Sequence, residues 1–246
     1  MTSILTKMRP EITAGGFARD DGGVSLHQRV NALLRPDMTV LDLGCGRGEI
    51  FLGAEDSYYR AALAKIQGKV AKVIGIDVDK AALLHPHLDE CHIVEKTSPL
   101  PLPNASVDVV ICDWVLEHID DPPGFVSELR RVLKPGGWFC ARTPNRWGYV
   151  GLGASVIPNA AHQSLLKILT PLRDEEDMFP TVYKLNTLKD IRLYFQTDKW
   201  NNFSFMQGQT PNYFGNSSLL FRLIEFYQNV VPNILQTNIM VFIQKK

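Results

Sequence analysis

The sequence predicts an α/β fold with a doubly wound, mostly parallel sheet. Three observations carry this. Apolar runs of strand length alternate with stretches of helical spacing from Leu26 to Ala141. One run, Val107 to Cys112, is almost continuously apolar, as in a parallel strand buried on both faces. A glycine-rich turn, Gly44-Cys45-Gly46-Arg47-Gly48, follows the first strand directly, where doubly wound folds place a ligand.

The elements follow in order. The first two dozen residues are Gly-rich from Gly15 to Gly23 and read as a flexible arm over residues 1–23. Leu26, Val30, Leu33 and Leu34 recur at helical spacing until Pro36. Strand one is Val40 to Leu43, and a helix is expected from Tyr58 to Gln67. Strand two runs Val70 to Ile76 and ends at Asp77. Ala81 to Leu84 starts a short helix that Pro86 interrupts, and His92 to Glu95 reads as a weak third strand. After strand four, Phe125 to Leu133 is a helix closed by Lys134-Pro135-Gly136-Gly137, and Trp138 to Ala141 is strand five. Beyond Pro144 the pattern weakens. Residues 145–186 are rich in aromatics and Pro, and read as a substrate-side cap. Thr187 to Tyr194 is a helix, Trp200 to Met206 a strand, Ser218 to Gln228 a helix and Asn238 to Ile243 a last strand. Residues 24–246 thus read as one domain.

Composition narrows the function classes. Lys plus Arg and Asp plus Glu both number 26, so no net charge draws the chain to nucleic acid or an anionic membrane. The cysteines, Cys45, Cys91, Cys112 and Cys140, lack the close spacing of zinc or redox pairs and read as plain thiols of a reducing compartment. The opening residues carry no leader-like run, no stretch approaches the length of a spanning helix, and a cytoplasmic location is expected.

The glycine turn allows close approach of backbone to a ligand, because glycine takes positive φ and has no Cβ. Asp42 ends the strand before it, and Asp77 stands where an acidic side chain can accept from ribose hydroxyls. Dinucleotide enzymes share that acid, but their fingerprint is G-x-G-x-x-G. Here the spacing is G-x-G-x-G with Glu49 next, which suits a cationic ligand better than a pyrophosphate.

The run Val40-Leu41-Asp42-Leu43-Gly44-Cys45-Gly46-Arg47-Gly48 resembles the first motif of class I S-adenosylmethionine-dependent methyltransferases. Gly75-Ile76-Asp77 resembles their second motif, and Val107 through Ile119 their fourth-strand motif. Leu133-Lys134-Pro135-Gly136-Gly137 resembles the turn before their fifth strand. The likeness covers residues 24–144 and is nearest the ubiquinone/menaquinone-biosynthesis-like, small-molecule branch. It implies a Rossmann-like sheet of about seven strands with the last antiparallel, and S-adenosyl-L-methionine as cofactor. The loop residues Gly44, Cys45, Gly46 and Gly48 would wrap the methionyl part above Asp42. Asp77 would hold the ribose and Val78 an adenine face, with Asp113 and Trp114 bordering the methyl end. Relatives often read the adenine amine with an acid after strand three. Lys96 stands there, so a backbone group, a neighbour such as Thr97, or Glu95 takes that place.

Methyl transfer from a sulfonium needs orientation and dryness, and a base only for a protonated acceptor such as a hydroxyl. His162, in the irregular segment, and His118, beside the fourth-strand loop, are the candidate bases, although the resemblance makes the Glu117-His118 pair mostly structural. His27 is a weaker candidate. His85 and His87 flank Pro86 in a turn, and no metal is expected. Tyr149, Tyr183, Trp147, Trp200 and Tyr213 could line an apolar or ring-shaped acceptor. Arg146, in Thr143-Pro144-Asn145-Arg146, is preferred over Arg142 and Arg173 for an anionic group on it. A small-molecule hydroxyl is the first expectation. A sugar, amine or carbon in a glycan or natural-product pathway is the alternative. A nucleic-acid acceptor is not expected, because Asp113-Trp114-Val115-Leu116 replaces the Asn/Asp-Pro-Pro-Tyr/Phe tetrad. Donor binding without transfer, and a nicotinamide oxidoreductase, remain as rivals.

Overall fold

The computed structural model describes residues 4–52, 57–96, 98–156, 181–212, 214–215 and 217–246. Strands β1 (Thr39–Leu43), β2 (Lys72–Asp77), β3 (Glu90–Ile93), β4 (Val107–Asp113) and β5 (Leu133–Pro144) are parallel neighbours in the order β3-β2-β1-β4-β5. The chain then enters β6 (Trp200–Asn202), β7 (Phe205–Gln207) and β8 (Asn238–Lys245). Strand β8 pairs antiparallel with β5, and both β6 and β7 pair with β8. The strand order reverses at β1, so the crevice at the carboxyl ends of β1, β2 and β4 is where this topology builds a site.

Two apolar layers hold the helices. One face of the sheet presents Leu41, Val110, Phe139 and Val241 to α5 (Pro122–Val132) and α7 (Leu188–Tyr194). The other presents Val40, Val109, Cys140 and Met240 to Leu26 and Val30 of α2 (Gly22–Leu33). This alternation follows from the two-residue repeat of a strand. Each fully buried Leu or Ile contributes roughly 1.5–3 kcal/mol. The remaining described helices are α1 (Ile4–Met8), α3 (Glu49–Leu52), α4 (Tyr58–Ala64), α6 (Tyr149–Val156) and α8 (Ser218–Val230).

Several boundaries differ from the sequence reading, each for a local reason. Helix α5 starts at Pro122, because Asp121 caps Gly124 N–H at 3.2 Å and proline suits a first helical turn. The Lys134-Gly137 segment lies inside β5 as an irregularity against β4, with Gly136 at φ 77°. Strand β3 is displaced toward Glu90 by its register on Ile74–Asp77. The expected strand from Trp200 to Met206 is broken, because Asn202 Oδ1 accepts from Ser204 N–H at 2.9 Å and turns the chain.

The first 23 residues are not loosely attached where they are described. They include α1 and a 3-10 turn at Pro10–Thr13. Arg9 is 4% exposed and pairs with Asp20 and Glu225. Composition conceals this, since the arginine's partners are distant in sequence.

Candidate functional site

The loop after β1 is built on three left-handed glycines, Gly44 (φ 76°), Gly46 (φ 54°) and Gly48 (φ 74°). Gly44 has a second requirement, since a Cβ there would lie 2.2 Å from Val115 Cγ2. Gly44 N–H donates to Ile76 O at 2.7 Å, and Gly46 N–H donates to Asp77 Oδ2 at 2.8 Å. The loop is therefore fastened to the end of β2. A Cβ on Gly46 would meet none of the described residues within 4 Å, so among them this glycine borders open space. Asp77 Oδ1 accepts from Asp79 N–H at 2.9 Å. Each carboxylate oxygen has two lone pairs, so acceptor capacity remains on both.

Three carboxylates gather at these strand ends. Asp42 is pushed up to about 7, first by burial and then by the neighbouring charges of Asp113 and Asp77. Burial likewise raises the Cys45 thiol, with Asp42 and Asp77 adding to the effect. Gly75 makes room for that thiol, because a Cβ on it would lie 2.9 Å from Cys45 Sγ. Val78 is 47% exposed beyond Asp77, leaving a face for a flat ring. Glu95 and Lys96 are both exposed, and Thr97 lies outside the described residues.

Asp113 ends β4 and receives Arg142 Nε at 2.8 Å and Nη2 at 2.7 Å. Trp114 follows at φ 59°, with its N–H on Arg142 O at 2.9 Å and its ring 4.8 Å from the Arg142 guanidinium carbon. The structure thus brings Asp42, the glycine loop, Asp77, Asp113 and Trp114 to one edge of the sheet.

Next to it lies a buried polar chain. Asn186 Nδ2 donates to Thr143 Oγ1 at 2.6 Å and to Pro144 O at 2.9 Å, and Thr143 Oγ1 donates to Glu117 Oε2 at 2.9 Å. Burial lifts the Glu117 carboxyl to about 7 against these hydrogen bonds. His118 closes the 3-10 turn Leu116–His118 and is half-buried. Tyr183 sits at φ 52° with its N–H on Glu117 O at 3.2 Å.

The other residues singled out in the sequence are more dispersed. Tyr149 Oη accepts from Asn212 N–H at 3.0 Å, and its ring meets Tyr227 at 6.4 Å. Arg146 is exposed, 5.6 Å from the Trp147 ring, whereas Arg142 is the buried arginine. Trp200 is 1% exposed and packs on Phe195, so it belongs to the core and not to a pocket. His85 and His87 both meet Phe51 edge-on, and no group able to hold a metal occurs among the described residues. His162, Arg173 and Tyr213 lie outside the described residues. Thr143 and Asn186 gain their role only in the folded chain, from partners distant in sequence. The available signal for them was polarity beside an apolar strand end, which requires partners.

Comparison with known proteins decides the family. A methyltransferase-domain family profile matches residues 41–141, the stretch from β1 to β5. A demethylmenaquinone methyltransferase of Symbiobacterium thermophilum is 32% identical over 187 residues, covering 67% of this chain and 71% of the relative. The chain belongs to the class I S-adenosylmethionine-dependent methyltransferases. S-adenosyl-L-methionine is the methyl donor of this family and S-adenosyl-L-homocysteine its product. A probable S-adenosylmethionine-dependent methyltransferase of Mycolicibacterium smegmatis is 44% identical over 112 residues, which is 44% of this chain and 38% of that protein. The chain thus spans about two fifths of the length of the first curated relatives it matches. A methyltransferase structure from Archaeoglobus fulgidus superposes with a TM-score of 0.53 at 16% identity, over 91% of this chain and 92% of that one, a likeness of fold.

The residues present fit the donor. The loop leaves open space at Gly46, Asp77 retains acceptor capacity, and the carboxylates suit a ligand bearing sulfonium and ammonium charges. The described helices include none long and apolar enough to cross a membrane.

Proposed function

We propose that this methyltransferase moves the methyl group of S-adenosyl-L-methionine to a small-molecule acceptor, at a hydroxyl oxygen. One observation carries the donor assignment. The Gly46 amide is held on Asp77 while its α-carbon faces space that no described residue fills, beside the half-buried acid Asp42. In this reading Asp42, Gly44, Cys45, Gly46 and Gly48 bind the methionyl part. Asp77, Val78 and Thr97 hold the nucleoside, and Asp113 and Trp114 border the transferred methyl.

A hydroxyl acceptor must lose its proton, so a group that titrates near neutrality is needed close by. His118, half-buried at the end of the 3-10 turn that follows β4, supports this reading of the acceptor side. His118 and His162 are the proposed bases. Tyr149 and Tyr183 are proposed to border the acceptor, with Arg146 meeting an anionic group on it. The Symbiobacterium relative is named for demethylmenaquinone, which is in keeping with a small-molecule acceptor. Residues 24–246 act as one domain in this account, with 145–186 on the acceptor side.

The test is a methyl-label screen over phenols, glycans and amines. The expected result is label on a hydroxyl-bearing small molecule, inhibited by S-adenosylhomocysteine. Label only on an amine or carbon would overturn the oxygen assignment. Loss of the neutral-to-alkaline rise in rate in His162→Ala or His118→Ala would identify the base.

A further inference from the structure

Arg142 lies near the end of β5 between the buried residues Ala141 and Thr143 and is 9% exposed. A guanidinium placed there must be paired, since an uncompensated buried charge is strongly destabilising. Two of its nitrogens grip Asp113, at 2.8 and 2.7 Å, and its flat face lies against Trp114 at 4.8 Å. Its own carbonyl takes the Trp114 N–H at 2.9 Å. Trp114 is held at φ 59°, a left-handed conformation that a non-glycine residue keeps only where the surroundings impose it.

The third nitrogen faces the start of α2. A Cβ on Gly22 would lie 3.0 Å from Arg142 Nη1 and 3.2 Å from Cδ, and one on Gly23 3.5 Å from Nη1. Helix α2 thus opens on two glycines where the arginine needs room. Asp21 just before them caps Val24 N–H at 3.0 Å and pairs with Arg60 at 3.2 Å. Asp20 accepts from Thr210 Oγ1 at 2.5 Å and pairs with Arg9 at 3.2 Å. One side chain joins the ends of β4 and β5 to the N-terminal segment.

We propose that Arg142 is a positioning residue for methyl transfer: it holds Asp113 and Trp114 in place at the methyl-donor end and docks the start of α2 onto them. This rests on the reading that Asp113 and Trp114 border the donor's methyl. Arg142 touches no reacting atom in this account and acts through those two residues. Lysine would keep the charge but lose both the two-pronged grip and the flat face.

The experiment uses the full chain and the variants Arg142→Lys, Arg142→Ala and Gly22→Ala. It measures S-adenosylhomocysteine affinity by calorimetry, kcat and KM in the labelled-methyl assay, and the thermal midpoint. Arg142→Lys should weaken S-adenosylhomocysteine by about tenfold or more, because Asp113 and Trp114 lose their two-pronged support, and should also lower the thermal midpoint, since the buried pair is an internal contact. Gly22→Ala, which crowds Nη1, should weaken it in the same direction. Millimolar methylguanidinium should restore binding to Arg142→Ala, and sodium chloride at equal ionic strength should not; a merely structural role would not produce this rescue. Should Arg142→Ala fail to fold, the lysine and Gly22 variants still decide. Affinity and kcat within twofold of the parent in Arg142→Lys would overturn the proposal. Absence of binding by the parent chain itself would instead overturn the donor reading.

Discussion

Gly46 donates its amide hydrogen to the Asp77 carboxylate across 2.8 Å, tying the loop after β1 to the end of β2. The loop's shape thus depends on a charge from another strand as well as on its own glycines. Asp77→Asn should weaken S-adenosylhomocysteine binding by about 1.5–3 kcal/mol, the usual worth of a hydrogen bond to a charged group. Titration calorimetry reads this directly, and unchanged affinity would remove Asp77 from the cofactor site.

Two glycines of that loop should respond differently to alanine. At Gly44 the new methyl would lie 2.2 Å from Val115 Cγ2 at φ 76°, so Gly44→Ala should lower stability, by about 1–3 kcal/mol in chemical denaturation. At Gly46 the added methyl meets no described residue, and only the backbone strain of about 1–2 kcal/mol applies. Gly46→Ala should therefore fold nearly normally and lose donor affinity, because its methyl enters the ligand's space. Equal stability losses in the two variants would contradict this.

Asp42 gives the site a pH dependence. Its carboxyl is raised to about 7, so it gains a proton as the pH falls through 7 and stops attracting a cationic donor. Affinity for S-adenosylmethionine should rise between pH 6 and 8 and flatten in Asp42→Asn. Stability moves oppositely. The folded state holds a proton that the unfolded carboxyl, near its ordinary 3.8, has released. This contribution is complete below about 4 and lost as the pH rises through about 7. Asp42→Asn should therefore melt higher than the parent above pH 7. A steeper affinity profile in the variant would exclude Asp42 as the titrating group.

Asn186 closes the buried chain through Thr143 to Glu117. Asn186→Ala leaves Thr143 Oγ1 and Pro144 O without their donor, and should destabilise by about 1–3 kcal/mol in urea unfolding. A value near zero would show that water replaces the amide there.

The parts legible in the sequence were those coded locally. Strand-helix alternation, the glycine spacing and Asp77 at a strand end each depend on neighbouring residues, and they predict the fold and the loop proposed for the donor. The polar framework depends on distant contacts. Arg146 stands just beyond the fifth strand in the turn Thr143-Pro144-Asn145-Arg146, whereas no neighbour in sequence marks Arg142. What distinguishes Arg142 is Asp113, on the adjacent strand, and Gly22, at the head of a helix. An arginine directly following the apolar run Trp138 to Ala141 is itself a sign that a buried partner exists. Arg9 escaped notice similarly, since Asp20 and Glu225 reach it only in the folded chain.

The central claim is that the loop Gly44–Gly48 holds S-adenosylmethionine for transfer. Calorimetric titration of the purified chain with S-adenosylhomocysteine, beside Gly46→Asp and with NADH as the competing ligand, tests it most directly. One saturable site for S-adenosylhomocysteine, its loss in Gly46→Asp, and no NADH binding are the expected results. Tight NADH binding without S-adenosylhomocysteine binding, or full retention of S-adenosylhomocysteine by Gly46→Asp, would contradict it.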